Sequence, residues 1–280
     1  PTVMASIPEH GGAATLYPIT ENPMHLHESE IGHFTSACGH SIYTADKFPE
    51  GYRGNAYVCA PVHNVVHSDR LSPKGGTFRA ARPRENAEFM ASTDRWFHPV
   101  NTTIGPDGAL YVADFYRKLV EHPTFIARAD SQGLYTYSGK ITEEDFLEGR
   151  DKGRIYRVVP EDFEPGDRPR LSSASAEELV GYLSHPNMWW RINAQRLLVD
   201  RQEASAIPHL REMARQSDSP EGRMHALWTL EGFDAMEPSL VREALGDDSP
   251  RVRRQAIRIA ERYLEEEGVR EALLQMNDES

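Results

Sequence analysis

Cysteine is scarce: the 280 residues hold two, Cys38 and Cys59, and no Cys-x-x-Cys-His occurs, so no haem is attached within these residues. No stretch reaches the roughly 18 uninterrupted apolar residues that a membrane-spanning helix requires. Lys and Arg nowhere gather into a basic run and the net charge is −12, which argues against a surface that tracks nucleic-acid phosphates. No Gly-rich phosphate loop, serine nucleophile elbow or zinc-protease helix is present either. Lysine is missing altogether from residues 172–280, which carry 13 Arg against 20 Asp and Glu. All five lysines, both cysteines and nine of the 12 histidines precede them. What remains, with 20 Gly and 19 Pro, is globular composition.

The shift in composition accompanies a shift in pattern, and the pattern divides the chain into two domains. Between them, residues 161–174 form a linker in which Glu161-Asp-Phe-Glu-Pro-Gly-Asp-Arg-Pro-Arg170 breaks every periodicity. Beyond it, over 175–280, Arg191-Ile-Asn-Ala194, Arg223-Met-His-Ala226 and Arg253-Arg-Gln-Ala256 recur, the arginines 32 and 30 residues apart. Each motif opens a segment with apolar residues at helical spacing. His185-Pro-Asn187, Asp218-Ser-Pro220 and Asp248-Ser-Pro250 precede them and read as helix starts, with an oxygen-bearing cap and a proline in the first turn. Partner helices are expected over 176–184, 205–216 and 237–245. The repeated Ala lets paired helices approach. Trp190, Leu197, Leu198, Leu227, Trp228, Leu230, Ile257 and Ile259 supply the apolar stripe. The repeated Arg reads as a structural ladder to the Asp of its own or the next turn. This part resembles short HEAT-like repeats, an α-solenoid that binds protein partners or braces neighbouring domains.

Residues 33–160 repeat differently. Gly54-Asn-Ala-Tyr-Val-Cys-Ala60 and Gly108-Ala-Leu-Tyr-Val-Ala-Asp114 share Gly, Tyr and Val at an offset of 54. Gly105-Pro-Asp-Gly108 is a turn between strands expected over 100–104 and 109–113. Third strands are expected over 64–71 and 153–159. A turn-linked meander repeating at about 50 residues reads as blades of a β-propeller. A propeller closes on four to eight blades, and 160 residues supply about two and a half. The chain therefore reads as a piece of a longer protein or as completed by another chain, with residues 1–32 the end of a preceding blade. The fold class is β plus α multidomain: an incomplete propeller, then a solenoid.

In such a meander the second-to-third loops, 61–64 and 115–152, share a rim with the entries to the first strands. His63, Asn64, His98, Asn101, Asp114, Tyr116, Arg117 and His122 converge there as candidate ligand-binding residues. A loop of nearly 40 residues suits a lid or a partner surface. Each candidate also has a structural reading: Asp114 capping its loop, Asn64 fixing a turn, Arg117 pairing with a carboxylate. Asp107, in the opposite turn, reads as structural. His63 and His67, on one strand face about 13 Å apart at ~3.3 Å per residue, are too distant to share a metal. His25-x-His27 lacks a third ligand in a recognisable spacing. Cys38 opens one strand and Cys59 closes its neighbour, so they fall close together, either as a disulfide or as two small buried thiols.

Phe34-Thr-Ser-Ala-Cys-Gly39, Tyr52-Arg-Gly-Asn55, Val58 to His67, Phe89-Met-Ala-Ser-Thr-Asp-Arg-Trp-Phe97, Pro99-Val-Asn101, Gly105 to Tyr116, Val120-Glu-His-Pro123 and Gly153 to Pro160 carry a family resemblance. Over about residues 30–160 the chain resembles the membrane-bound dehydrogenase propellers of planctomycete type, which are similar to soluble quinoprotein glucose and sorbosone dehydrogenases. Those propellers are typically followed by HEAT-like repeats and a c-type cytochrome, and the order propeller then HEAT is reproduced. The resemblance implies a periplasmic or otherwise extracytoplasmic oxidoreductase of sugars or other alcohols that passes electrons to haem. It also implies pyrroloquinoline quinone (PQQ) and calcium in the full-length protein, with the general base and much of the cofactor pocket on earlier blades. No catalytic base is assigned to these residues.

Overall fold

The computed structural model describes residues 15–21, 32–34, 36–75, 77–120, 144–166 and 170–277. The chain divides into two compact units, 1–165 and 166–280, the first built on antiparallel sheets and the second on helices.

In the first unit β1 (Cys38–Ile42), β2 (Ala56–Ala60) and β3 (Val65–Lys74) form an antiparallel meander, and β6 (Pro99–Ile104), β7 (Leu110–Asp114) and β8 (Arg154–Val158) form another. The residues shared at the offset of 54 lie on or just before the middle strands β2 and β7. Gly54 and Gly108 have matching φ of +84° and +83°, a conformation that a Cβ disfavours. At Gly108 a Cβ would also lie 2.4 Å from Lys47 Cγ. The third strand of the first sheet departs from expectation. It starts one residue late, at Val65, and runs on to Lys74, where it folds back into β4 (Thr77–Ala81). A short β5 (Met90–Ala91) then pairs with its beginning.

Strand alternation decides how the sheets pack, because successive side chains point to opposite faces. Tyr57, Cys59 and Val66 of the first sheet share a core with Leu110 and Val112 of the second, joined by Tyr43, Ala45 and Phe48 from the β1–β2 connection. The sheets approach so closely at Gly39 that a Cβ there would sit 2.4 Å from the Asn101 Cα. On the far side of the first sheet, Ala60 and Val65 pack on Leu16, with Phe34 and Ala91 beside them. The far side of the second sheet carries Asn101 and Thr103 exposed, with Ile155 74 % exposed.

The second unit comprises α1 (Ala176–Gly181), α2 (Met188–Arg201), α3 (Ala206–Gln216), α4 (Pro220–Gly232), α5 (Pro238–Leu245), α6 (Pro250–Ala260) and α7 (Glu267–Gln275), the last not expected from the repeat. The pairs α1–α2, α3–α4 and α5–α6 pack together. Odd-numbered helices touch the next odd one, and even-numbered helices the next even one. Ala194, Ala226 and Ala256 are all buried where the even helices meet their neighbours. Ile257 is 40 % exposed and does not belong to the apolar stripe, because the neighbouring Ala256 and Ile259 take the inward positions.

Asn187 caps Trp189 N and Ser219 caps Gly222 N, with Pro220 and Pro250 in the first turns. Pro186 differs, standing before its cap residue instead of within the helix. The repeated arginine takes the fourth position of each even helix, where a cation opposes the helix dipole. Its side chain leans back over the preceding turn and donates to the carbonyl six residues earlier. Arg191 reaches His185 at 2.5 Å, Arg223 reaches Ser217 at 2.5 Å and Arg253 reaches Asp247 at 2.8 Å. Arg270 does the same to Leu264 at 3.2 Å, which marks α7 as carrying the same device. Arg223 adds the expected pairing across the repeat, forking onto Asp247 at 2.8 and 2.9 Å.

Candidate functional site

Three backbone segments meet at one end of the two sheets, and the residues singled out in the sequence stitch them together. Pro61–His63 is a single 3-10 turn closed by Asn64 in the left-handed region, φ 56°, a conformation Asn tolerates better than most residues. The Asn64 amide donates to the Phe97 carbonyl at 2.5 Å and the Arg95 carbonyl at 3.3 Å, and its Oδ1 lies 2.9 Å from the Thr20 hydroxyl. His63 stands in the turn and not on β3, so it shares no strand face with His67. Its Nε2 accepts the Gly32 N–H at 3.1 Å. Both residues thereby hold segments 15–21 and 32–34 against the sheet.

His98 and Asp114 form the second seam. The His98 ring lies 2.8 Å from the Pro61 carbonyl, and its backbone N–H donates to Asp114 Oδ1 at 2.9 Å. The same oxygen accepts Tyr116 N–H at 2.9 Å, while Asp114 Oδ2 lies 3.6 Å from Arg154 Nε. Burial depresses the His98 pKa and outweighs the Pro61 and Arg117 carbonyls and the Asp114 and Asp94 charges that favour the cation. Tyr116 is held at φ 44°, an uncommon conformation for a bulky residue, with the Arg154 guanidinium 3.7 Å above its ring and Trp96 at 5.7 Å. Arg117 bonds carbonyls: Gly149 at 2.5 Å, Tyr116 at 3.1 Å, Phe115 at 3.3 Å and Arg150 at 3.3 Å. Toward solvent the cluster presents Trp96, Tyr116 and Arg154.

The structure thus brings His63, Asn64, His98, Asp114, Tyr116 and Arg117 to one end. Asn101 is not among them: it lies on the open face of the second sheet, and its Oδ1 accepts the N–H of Thr102. His122, His25 and His27 lie outside the described residues. Asp107 holds its turn, accepting from Ala109 N, the Tyr111 hydroxyl and Arg157. Cys38 and Cys59 face each other in register across β1 and β2, both as free thiols.

Sequence reading missed a buried ionic cluster on the covered face of the first sheet. His67 Nδ1 lies 2.7 Å from Glu88 and its Nε2 3.2 Å from Asp69, while Arg82 lies 3.1 Å from Glu88. Glu88 also accepts Tyr17 N–H at 3.0 Å, and Arg82 donates to the Thr15 carbonyl. The pattern His67-x-Asp69 was visible on one strand face; Glu88, reached through the β4 hairpin, left no signal. Among the described residues no group of three or more His, Cys, Asp or Glu side chains has a metal-holding arrangement.

The chain belongs to the family defined by DUF7133, a domain of unknown function, which matches residues 1–162. No curated protein and no solved structure matches it.

Proposed function

We propose that this member of the DUF7133 family is a scaffold portion of an extracytoplasmic, periplasmic quinoprotein-like dehydrogenase that oxidises sugars or other alcohols and passes electrons to a c-type cytochrome. The two meanders are consecutive blades of a β-propeller, and the helices are HEAT-like repeats of an α-solenoid. The observation that carries this reading is the stacking of the sheets. The repeated β2 and β7 are matched in position and in glycine φ, yet one sheet buries its Tyr57 face and the other its Leu110 face between them. Blades stacked around a ring do this, and the open face bearing Ile155 is where a further blade packs.

On this reading PQQ and calcium are held by residues of other blades. The described residues at the sheet ends offer no group of three or more His, Cys, Asp or Glu side chains that could hold calcium, and Asn64, His98, Asp114 and Arg117 each bond the chain's own backbone, with His98 Nε2 and Asp114 Oδ2 left as buried atoms without a hydrogen-bond partner. The same observation favours a second reading, a non-catalytic module that docks a protein or glycan on the propeller rim and the HEAT surface.

The test is to supply PQQ and calcium to the protein carrying its further blades, with a panel of aldoses and a dye acceptor. Dye reduction with a spectral change of the quinone supports the dehydrogenase. No spectral change and no dye reduction overturns it, and saturable glycan or protein binding without turnover establishes the docking module.

A further inference from the structure

The third strand of the first sheet leaves a gap along one edge. β2 pairs with 65–69 on one side; on the other, β5 takes 65–66 and β4 takes 70–74. Residues 82–89 connect β4 to β5, and a pocket of about 170 Å³ lies beside them. That is a site for a fragment-sized molecule, below the ~300 Å³ where drug-sized sites begin. It is separate from the loop cluster described above and does not depend on the dehydrogenase reading.

The lining is polar at depth, aromatic on the walls and cationic at the mouth. Asn55 and Ser68 are buried, and Ser68 stands directly opposite Tyr57 across β2 and β3. Tyr52 and Phe89 stand edge to face, ring centroids 6.3 Å apart. Arg70 and Arg84 are exposed, and Arg84 donates to the Tyr52 hydroxyl at 2.9 Å. Two exposed arginines lining one pocket stand out in a chain of net charge −12. Glu88 also lines the pocket but does not cancel them, because its carboxylate is already engaged by His67 and Arg82.

We propose that this pocket binds a small aromatic carboxylate, its carboxylate on Arg70 and Arg84, its ring against Tyr52 and Phe89, and a polar substituent toward Ser68 and Asn55. A planar guanidinium matches a carboxylate through two parallel N–H bonds, and an aromatic wall favours a flat body over a hydrated spherical anion.

The experiment is calorimetric titration of the 280-residue chain with 4-hydroxybenzoate, 4-hydroxybenzamide and inorganic phosphate. The carboxylate is expected to bind, and the neutral amide about tenfold or more weaker, because charge-assisted bonds are lost. Arg70→Ala and Arg84→Ala are each expected to weaken the carboxylate about tenfold while the thermal midpoint stays put, since both side chains are exposed. Failure of the carboxylate to bind at millimolar concentration overturns the proposal. So does an amide within about twofold of the acid, unaltered affinity in both arginine variants, or phosphate binding tighter than the acid.

Discussion

His67 and Glu88 lie 2.7 Å apart with both side chains almost wholly buried, and Asp69 occupies the other ring nitrogen of the histidine at 3.2 Å. Burial alone would depress the His67 pKa, but the bonds to Asp69 and Glu88 raise it above the ordinary 6.5. Burial would likewise raise Glu88, but His67, Tyr17 N–H and Arg82 bring it below the ordinary 4.5. The histidine's contribution is complete below pH 6.5 and is lost as pH rises through its folded pKa. The glutamate's is complete above pH 4.5 and is lost as pH falls through its folded pKa. The stability gap between wild type and Glu88→Gln, from urea midpoints across pH, is therefore expected to be widest between those two values and to narrow on either side. A gap that does not vary with pH would contradict the ionic assignment.

Asp114 carries two backbone N–H groups on one oxygen, from His98 and Tyr116, and so fixes the loop that keeps Tyr116 at positive φ. Asp114→Ala is expected to cost about 1–3 kcal/mol, since it orphans one buried and one part-buried donor. Asp114→Asn keeps the accepting oxygen and is expected to cost less. Denaturant unfolding distinguishes them, and equal losses would show that the charge facing Arg154 matters more than the cap.

Arg223 and Asp247 are both largely buried and joined by two parallel bonds, and Asp247 also accepts Ser249 N–H at 2.7 Å. One carboxylate thus ties the start of α4 to the start of α6. A double-mutant cycle with alanine at both positions is expected to return a coupling of about 1–2 kcal/mol, with Arg223→Lys recovering only part of it. A coupling near zero would reduce the pair to a packing contact.

Cys38 and Cys59 pose a redox question that the register sharpens, because directly opposed residues on antiparallel strands are near enough for a bridge. Two thiols are expected on titrating the unfolded, unreduced protein, and a reading of zero would establish a disulfide. In the folded protein, burial, reinforced by Cys38, pushes the Cys59 thiol up to about 12. Cys38 is half-buried and shifted upward by burial too. Alkylation at pH 8 is expected to label Cys38 first, which peptide mapping would read directly.

Much of the architecture was legible because its signals are local. The offset of 54 located the paired middle strands, and the Arg and Ala recurrences located the even helices and their buried faces. Caps at Asn187 and Ser219 were legible for the same reason. The β4 hairpin was not, since Pro73 and Lys74, beyond the strand expected over 64–71, carry no alternation that marks its continuation. Nor was α7, whose arginine device at Arg270 follows a segment without the Ser-Pro punctuation. At the loop cluster the sequence supplied the residues but not their roles. Asn64, His98 and Arg117 have the same chemistry whether they meet a ligand or a carbonyl.

By itself the sequence determined the β and α classes, the division near the proline-rich segment, and which residues alternate or recur. Those follow from backbone geometry acting over a few residues. The tertiary structure decided that the polar loop residues serve the chain's own backbone, that Glu88 meets His67 across 21 positions, and that Arg70 and Arg84 open on one pocket. These depend on which segments close against one another, because an unpaired buried donor or charge is costly wherever it stands and only the completed fold determines what satisfies it.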